Sequence, residues 1–155
     1  MRRKDREISR EAAEAVVDAC AYAVLSTANP DGSPYGVPVS IVRDGAWLYF
    51  HCAQEGQKVD NMRAMNQVCV TCTGNIQLLE ERFSLAYESA VVFGTAQEVL
   101  EESEKIRGLR LICLRYAPGN MDAFDGAIRR SLGRTGVWKI HIDRITGKRR
   151  DPQTS

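Results

Sequence analysis

WLYFHCAQEGQKVDNMR, residues 47–63, is the stretch of sequence that decides the fold. It begins as a dense aromatic strand, continues as a loop that contains Gly56, and ends as a short helix that opens near Lys58. The first turn of a helix offers free backbone N–H groups, and the ammonium of Lys58 adds a positive charge beside them. The stretch therefore predicts a strand, a loop and a helix that together can hold an anion such as a phosphate.

The alternation of side chains along this strand assigns its two faces. One face is Trp47, Tyr49 and His51, and the other is Leu48, Phe50 and Cys52. Asp44-Gly45 stands directly before the strand and predicts a tight antiparallel hairpin with the preceding strand. The hairpin fixes the register, so one face is expected to be plain core and the other to carry the titratable ring of His51.

The remaining elements follow from periodicity, turn residues and helix caps. Strands are expected over residues 21–27, 35–43, 46–52, 68–73, 85–100 and 136–142, and helices over residues 10–20, 58–65, 101–116 and 122–131. Ser9 is the expected N-cap of the first helix, and Gly94 predicts a bulge in the longest strand. Residues 74–82 are expected to be loop and residues 143–148 a turn. The connections between the first three strands are too short for parallel crossovers, so the prediction is a mainly β fold, an antiparallel barrel with peripheral helices.

Composition limits the class of protein. At 155 residues, 44% hydrophobic and 26% charged, the chain suits a single domain over residues 1–155, with residues 1–7 and 149–155 as flexible tails. No apolar run is long enough to cross a bilayer, and the charged N-terminus lacks the apolar core of a signal peptide, so a cytoplasmic location is expected. The five cysteines are then expected to be thiols. A net charge of +1 gives no electrostatic case for nucleic acid.

Two short segments match the spacing of known binding motifs but lack other residues that those motifs require. Cys69 and Cys72 match a C-x-x-C motif, but residues three apart on a strand face opposite sides and no second Cys or His pair follows, which favours buried thiols. Gly56 and Lys58 are not part of a Walker motif, because His51 stands where another Gly is required. A phosphate role for this loop and a plain solvated lysine remain equally open.

The two histidines and one proline leave further alternatives. His51 and His141 could form a metal site with a carboxylate, although the spacing does not support one and no metal is expected. A structural histidine is the simpler reading of each. Pro38 interrupts the ladder of its strand, which therefore borders either the edge of the sheet or a flat ligand held by the backbone at residues 37–40.

Four motifs in order resemble one known family. They are A-x-L-S-T-x-x-x-D-G-x-P-Y-G-V-P-V, Y-F-H-C-A-x-E-G-x-K-x-D-N, Y-E-S-A-V-V-F-G, and V-W-K-I with I-T-G-K. This pattern resembles the FMN-binding split-barrel family related to pyridoxamine 5′-phosphate oxidase, and within it most closely the nitroimidazole-resistance (Nim) proteins. The resemblance covers about residues 3–148. It implies a six-stranded antiparallel Greek-key split barrel that forms a homodimer with FMN at the subunit interface.

The resemblance also implies site residues. Cofactor contacts carried over by position are Val37, Pro38, Val39 and Ser40 at the isoalloxazine, His51, Cys52 and Ala53 at the ribityl-phosphate arm, Lys58 at the phosphate, and Ser89 and Trp138 from the second subunit. His51 would also be the catalytic residue, as a proton donor or a substrate-orienting group. NADH or NADPH would bind transiently as the electron donor, since no dinucleotide-binding glycine motif is present.

The implied function is an FMN-dependent oxidoreductase that reduces nitroaromatic or similar small planar acceptors. One alternative is a non-catalytic carrier or sensor that holds flavin or heme. Another is a pyridoxamine 5′-phosphate oxidase, but the basic residues with which those enzymes grip phosphates have no counterpart in YFHCA and YESA, which disfavours a phosphorylated substrate.

Overall fold

The computed structural model describes residues 2–153, which form one antiparallel sheet and its flanking helices. The strands are β1 (Glu7–Ile8), β2 (Ala23–Ala28), β3 (Pro34–Val39), β4 (Val42–Asp44), β5 (Trp47–Ala53), β6 (Gln67–Leu79), β7 (Ser84–Glu98) and β8 (Thr135–Arg150). The α-helices are α1 (Arg10–Ala19), α2 (Gln57–Ala64), α3 (Glu102–Tyr116) and α4 (Phe124–Ser131). Single 3-10 turns occupy Lys4–Arg6, Glu80–Arg82, Pro118–Ala123 and Leu132–Arg134.

The strand order is β3-β2-β6-β7-β8-β5-β4, with β1 added to β8. The two outermost strands, β3 and β4, are consecutive in the chain and are joined by only Ser40 and Ile41. Two residues span only a few ångströms, so the two ends of the sheet must come together. The sheet therefore curls into a barrel that its hydrogen bonds do not close, and the predicted mainly β class with peripheral helices is confirmed.

The described chain has eight strands where six were predicted, for two reasons. The strand expected over residues 35–43 breaks at Ser40 and Ile41 into β3, which pairs with β2, and β4, which pairs with β5. Glu7, expected to belong to a flexible tail, and the neighbouring Ile8 pair with Lys148 and Gly147 as β1. A change of pairing partner within one extended stretch leaves no mark in hydrophobic alternation, so the sequence pattern merged two strands.

Two expected loops are strand. The segment of residues 74–79 continues β6 past a register shift between Gly74 and Gln77, and β8 runs on through the expected turn to Arg150. Arg149 and Arg150 therefore pair with β7 and are not part of a tail, whereas Met1, Thr154 and Ser155 lie outside the described residues. A long two-stranded ribbon is exposed to solvent on both faces. Its strands therefore contain many polar residues and resemble loops in sequence.

Several local predictions are confirmed. The hydroxyl of Ser9 accepts a hydrogen bond from the amide of Ala12 at 3.2 Å and caps α1. Asp44 and Trp47 pair across the hairpin turn. A register shift falls at Gly94, where an added Cβ would lie 2.3 Å from the carbonyl oxygen of His141. The bulge brings two backbones so close that only glycine fits.

Two hydrophobic cores lie on opposite faces of the sheet. The barrel interior holds Leu25, Phe50, Val70, Val92 and Ile140, with α1 and α2 packed against its open parts. The second core lies outside the barrel, between the outer faces of β5 and β8 and the helices α3 and α4; its buried members are Tyr49, Val99, Leu109, Ile112, Phe124 and Val137. Both faces of β5 are thus covered, which explains its run of aromatic residues. Over residues 2–153, none of the helices has the length and apolar character needed to cross a membrane.

Candidate functional site

The barrel is open between two unpaired strand edges. On one side, β4 covers β5 only from Trp47 to Tyr49, so residues 50–53 of β5 have a strand partner on the β8 side alone within the described chain. On the other side, β3 pairs with β2 and has no second strand partner among the described residues. We call the gap between β3 and residues 50–53 of β5 the split. Its backbone N–H and C=O groups are available to a ligand or another chain.

Helix α2 bounds the split at the end away from Ser40 and Ile41. The side-chain amide of Asn61, buried to 2% exposure, donates to the hydroxyl of Thr27 at 3.0 Å and to the side-chain oxygen of Asn29 at 2.8 Å. Gln57 donates to the same Asn29 oxygen at 3.0 Å. These bonds fix the start of α2 to the end of β2, the neighbour of β3. The helix start is therefore held beside the split.

The N-terminus of α2 is free to bind an anion. Gly56, with φ +125°, forms the N-cap, and no side chain caps the helix. The first backbone bonds are those that Val59 and Asp60 donate to the carbonyl of Gly56, at 2.8 and 3.1 Å. The amides of Gln57 and Lys58 precede these bonds and point out of the helix end. The helix dipole adds positive potential at the same place.

Lys58 contributes a full charge to this end of the split. Burial raises the pKa of the Cys52 thiol, and the nearby ammonium of Lys58 acts against this rise. The positive charge of Lys58 therefore acts on the end of β5. At the far end of α2, Arg63 forms a two-pronged ion pair with Glu98, with N···O distances of 2.8 to 3.1 Å, so that both ends of the helix are fixed to the sheet.

His51 lies on the outer face of β5, where the split meets the second core. Its imidazole makes no hydrogen bond within residues 2–153, and desolvation by its surroundings lowers its pKa below the ordinary 6.5. His141 is different, since its Nδ1 lies 2.7 Å from the carboxylate of Asp143 and its ring packs edge-on against Trp47. His141 therefore has a structural role, and His51 is the histidine whose ring nitrogens have no partner in the described chain and can contact a ligand.

The other predicted residues of this chain also border the split. Val37 and Val39 face the barrel interior, Pro38 faces outward, and Ser40 begins the two-residue link to β4. The edge position expected for Pro38 is confirmed. Ala53 ends β5 and is exposed, and the side chain of Cys52 points inward, so only their backbones are turned to the split.

Ser89 and Trp138 are expected to reach the site from a second subunit, and within one chain they lie on β7 and β8. Ser89 is on the outer face of β7, in register with Thr73 and Lys148. This outer face continues across the sheet through a row of directly paired residues, Pro38, Val24, Thr71, Val91 and Thr146. Trp138 points into the barrel core and is 2% exposed, and its indole N–H has no partner in the described chain. The structure thus gives Ser89 a surface position and Trp138 a core position.

A metal site is not formed by the described residues. They contain no cluster of three or more His, Cys, Asp or Glu side chains that could hold an ion. His51 and His141 lie on the same outer face of the sheet. His51 pairs with Val137 and His141 pairs with Trp47, so the two histidines are four register positions apart on neighbouring strands. Cys69 and Cys72 are free thiols, Cys72 is buried in the barrel, and Cys69 is half-exposed.

The comparisons with known proteins identify the family. The family model described as pyridoxamine 5′-phosphate oxidase matches residues 9–149, nearly the whole chain. The chain belongs to this family. A search of curated proteins found no match.

Several solved structures share the family fold. A candidate 5-nitroimidazole antibiotic resistance protein from Bacteroides thetaiotaomicron is 26% identical, with a TM-score of 0.78 over 92% of this chain and 85% of that one. A flavocytochrome from Azotobacter vinelandii is 21% identical, with a TM-score of 0.80 over 92% of this chain and 68% of that one. An FAD-binding protein from Mesorhizobium loti is 21% identical, with a TM-score of 0.71 over 94% and 98%. The last two likenesses establish the fold alone.

Sequence analysis missed the residues that position α2. Thr27 and Asn29 were assigned to a strand end and a turn, and Asn61 had no role although it closes the K-x-D-N motif. A polar residue among the buried positions of a helix, such as Asn61 between Val59 and Met62, was the available signal, because a buried amide requires partners.

Proposed function

We propose that the protein is a homodimeric FMN-dependent oxidoreductase that transfers electrons from NADH or NADPH to a small planar acceptor such as a nitroaromatic compound. The observation that carries the proposal is the split, where two free strand edges meet an uncapped helix N-terminus and a lysine. The likeness to the Bacteroides protein, described as a candidate 5-nitroimidazole resistance protein, favours the nitroaromatic class.

The residues at the split fit an FMN molecule in chemistry and order. A phosphate is a dianion near neutral pH and suits the amides of Gln57 and Lys58 together with the Lys58 ammonium. A flavin ring is flat, with hydrogen-bonding atoms along its edge, and suits the exposed backbone of residues 37–40. His51 lies beside the same gap with an unpartnered ring. Trp138 does not fit its expected part, because its indole is enclosed in the core.

The bound flavin would supply two-electron redox chemistry between nicotinamide and acceptor. For a nitro compound the first two-electron step is balanced as R–NO2 + NAD(P)H + H⁺ giving R–NO + NAD(P)⁺ + H2O. The protein has to orient the acceptor by a hydrogen bond to a nitro oxygen, while the proton in the equation comes from the solvent. His51 is neutral near pH 7, since its pKa is lowered, and a neutral imidazole carries one N–H that can donate that hydrogen bond.

The proposed dimer gives a role to the outer face of the sheet. Ser89 and Val91 lie on this face together with Phe93, which is 37% exposed, and Val24, also 37% exposed. The face runs without interruption to Pro38 at the split. A second copy packed on it would place its own outer residues, Ser89 included, toward the flavin site of the first.

Flavin loading tests the proposal directly. Protein stripped of cofactor and titrated with FMN should quench FMN fluorescence and shift its absorption bands, and anaerobic NADH or NADPH should then bleach them. Failure to bind FMN overturns the proposal. Binding without bleaching by either nicotinamide assigns the protein to the carrier class instead.

A His51→Ala variant separates binding from turnover. It should keep FMN and its reduction by nicotinamide, while turnover of a nitroaromatic acceptor should fall by about a hundredfold, as expected when the group that orients the acceptor is lost. Full acceptor turnover in this variant would return His51 to a structural role. His141→Ala is the matched control, because it removes the histidine already paired with Asp143.

A further inference from the structure

A pocket of about 220 Å³, partly open to solvent, lies between the end of β5, the helices α3 and α4 and the 3-10 segment Pro118–Ala123 that joins them, next to the second core. It is lined by His51, Leu109, Cys113, Ala117, Asn120, Met121, Ala123, Phe124, Ala127, Ile128, Ser131 and Thr135. None of the lining residues is Lys, Arg, Asp or Glu. The other large surface cavities of the described chain each include charged residues, for example Arg144 and Lys148 on the outer sheet face and Arg63 and Glu98 beside α2.

Some polar side chains of the lining have a hydrogen-bond partner in the described chain, and others have none. The hydroxyl of Ser131 donates to the carbonyl of Ala127, and that of Thr135 donates to the carbonyl of Ser131, both at 2.8 Å. The imidazole of His51 and the side-chain amide of Asn120 make no hydrogen bond within residues 2–153, and both residues are exposed at the open side of the pocket. Two polar groups beside mainly apolar walls can fix the orientation of a small bound molecule.

The size and charge of the cavity define the molecule that it accepts. A closed apolar cavity of about 150 Å³ is large enough for benzene, so this one holds a single ring with one or two substituents. An anionic group placed against these walls would lose part of its hydration without gaining a cationic partner, because no Lys or Arg lines them. The walls therefore select a neutral, monocyclic aromatic molecule.

One residue, His51, borders both the cavity and the split. His51 lines the cavity with its side chain, while its backbone belongs to the free edge of β5. A ring held against His51 is thus beside the place where the flavin is expected. We propose that this cavity is the acceptor site of the enzyme and binds neutral single-ring nitroaromatics, with a substituent hydrogen-bonded by His51 and Asn120. The inference rests on the proposed function for the identity of the reaction, and on the cavity for the identity of the ligand.

Nitrobenzene and 4-nitrobenzoate test the charge selection, since they differ by one carboxylate. Binding to the FMN-loaded protein is measured by ligand-detected NMR, and turnover by the loss of nitro absorbance under NADPH. Nitrobenzene should bind more than about tenfold tighter than 4-nitrobenzoate, because the carboxylate is desolvated without a partner. Equal binding of the two compounds overturns the proposal.

A substitution that fills the cavity tests whether the ligand binds there. Ala127→Phe on α4 places a ring in the space, and Ala15→Phe is its control, an exposed alanine on α1 that lines no described cavity. Ala127→Phe should weaken nitrobenzene binding more than about tenfold, because the space is occupied, and Ala15→Phe should leave it within about twofold. Unfolding midpoints of both variants, and their FMN reduction by NADPH, should match the unsubstituted protein.

The outcomes separate the cavity from the proposed function. If FMN is neither bound nor reduced but nitrobenzene binding still depends on residue 127, the proposed function fails and the cavity stands. If FMN is reduced and nitrobenzene binding is indifferent to Ala127→Phe, or is lost equally in Ala15→Phe, the cavity is not the acceptor site.

Discussion

At the scale of single residues, the site depends on a few groups whose partners are absent from the described chain. Among residues 2–153, Lys58 and the first amides of α2 form no ion pair or side-chain cap, and the ring of His51 forms no hydrogen bond. The second histidine, His141, shows the contrast, because Asp143 and Trp47 occupy both its polar and its apolar surfaces. Unpartnered groups gathered at one gap are the mark of a binding site.

Lys58→Ala should weaken FMN binding. It removes a charge-assisted contact worth roughly 1.5–3 kcal/mol, which is a loss of about one to two orders of magnitude in affinity. Fluorescence titration with FMN measures it. Lys4→Ala, on an exposed 3-10 turn far along the chain, is the control and should not change the affinity. An unchanged affinity in Lys58→Ala would place the phosphate elsewhere.

His51 should titrate below its ordinary pKa of 6.5, because desolvation disfavours the imidazolium. The folded protein then binds a proton less readily at this ring than the unfolded chain does. The effect on stability is absent well above pH 6.5, where the ring is neutral in both states, and destabilises the fold as pH falls below that value. An NMR titration of the imidazole protons measures the pKa, with His141→Gln removing the other histidine signals. A value at or above 6.5 would contradict the placement of the ring.

Secondary-structure elements can be predicted from the sequence where one local rule decides the outcome. Ser9 before an apolar stripe marks the start of α1, Asp44-Gly45 marks the hairpin, and Gly94 marks the bulge. Strand boundaries that depend on pairing cannot be predicted in this way, as at Ser40, where one extended stretch exchanges β2 for β5 as its partner. The side chains that line the proposed acceptor site come from β5, α3, the 3-10 segment Pro118–Ala123, α4 and β8, and periodicity within each element does not reveal how elements meet.

Gly94→Ala should destabilise the barrel by about 3 kcal/mol, because the added methyl group meets the carbonyl of His141 in a backbone that cannot move away easily. Urea denaturation measures the change. Gly119→Ala is the control: its Cβ would meet nothing within 4 Å and its φ is not in the left-handed region, so it should change stability by less than about 1 kcal/mol. Equal effects of the two substitutions would show that the bulge tolerates a side chain.

At the scale of the whole molecule, the sheet has one face with a continuous row of small and apolar side chains open to solvent, from Pro38 across to Thr146. The inner face of the sheet packs on the barrel core, and α3 and α4 cover the outer face only at β5 and the adjoining part of β8. The site at the split lies at the margin of the open face. Assembly and cofactor binding are therefore expected to depend on each other.

Val91→Glu should shift the proposed dimer to monomer and weaken FMN binding together, because it places a charge in the middle of the open face. Sedimentation velocity gives the oligomeric state and FMN titration the affinity. Leu114→Glu is the matched control, since Leu114 is 49% exposed on α3 and away from that face. A monomeric unsubstituted protein that binds FMN normally would contradict the dimer.

The position of β8 has a consequence for how the chain folds during synthesis. This strand is the last in chain order, yet it lies inside the sheet and pairs with β1, β5 and β7. Until residues 135–150 leave the ribosome, β5 lacks its main neighbour and the first strand has none, so the barrel cannot close on its core. The aromatic strand β5 therefore stays exposed until β8 has been synthesised, and folding is expected to be slow, as for other folds dominated by contacts distant in sequence.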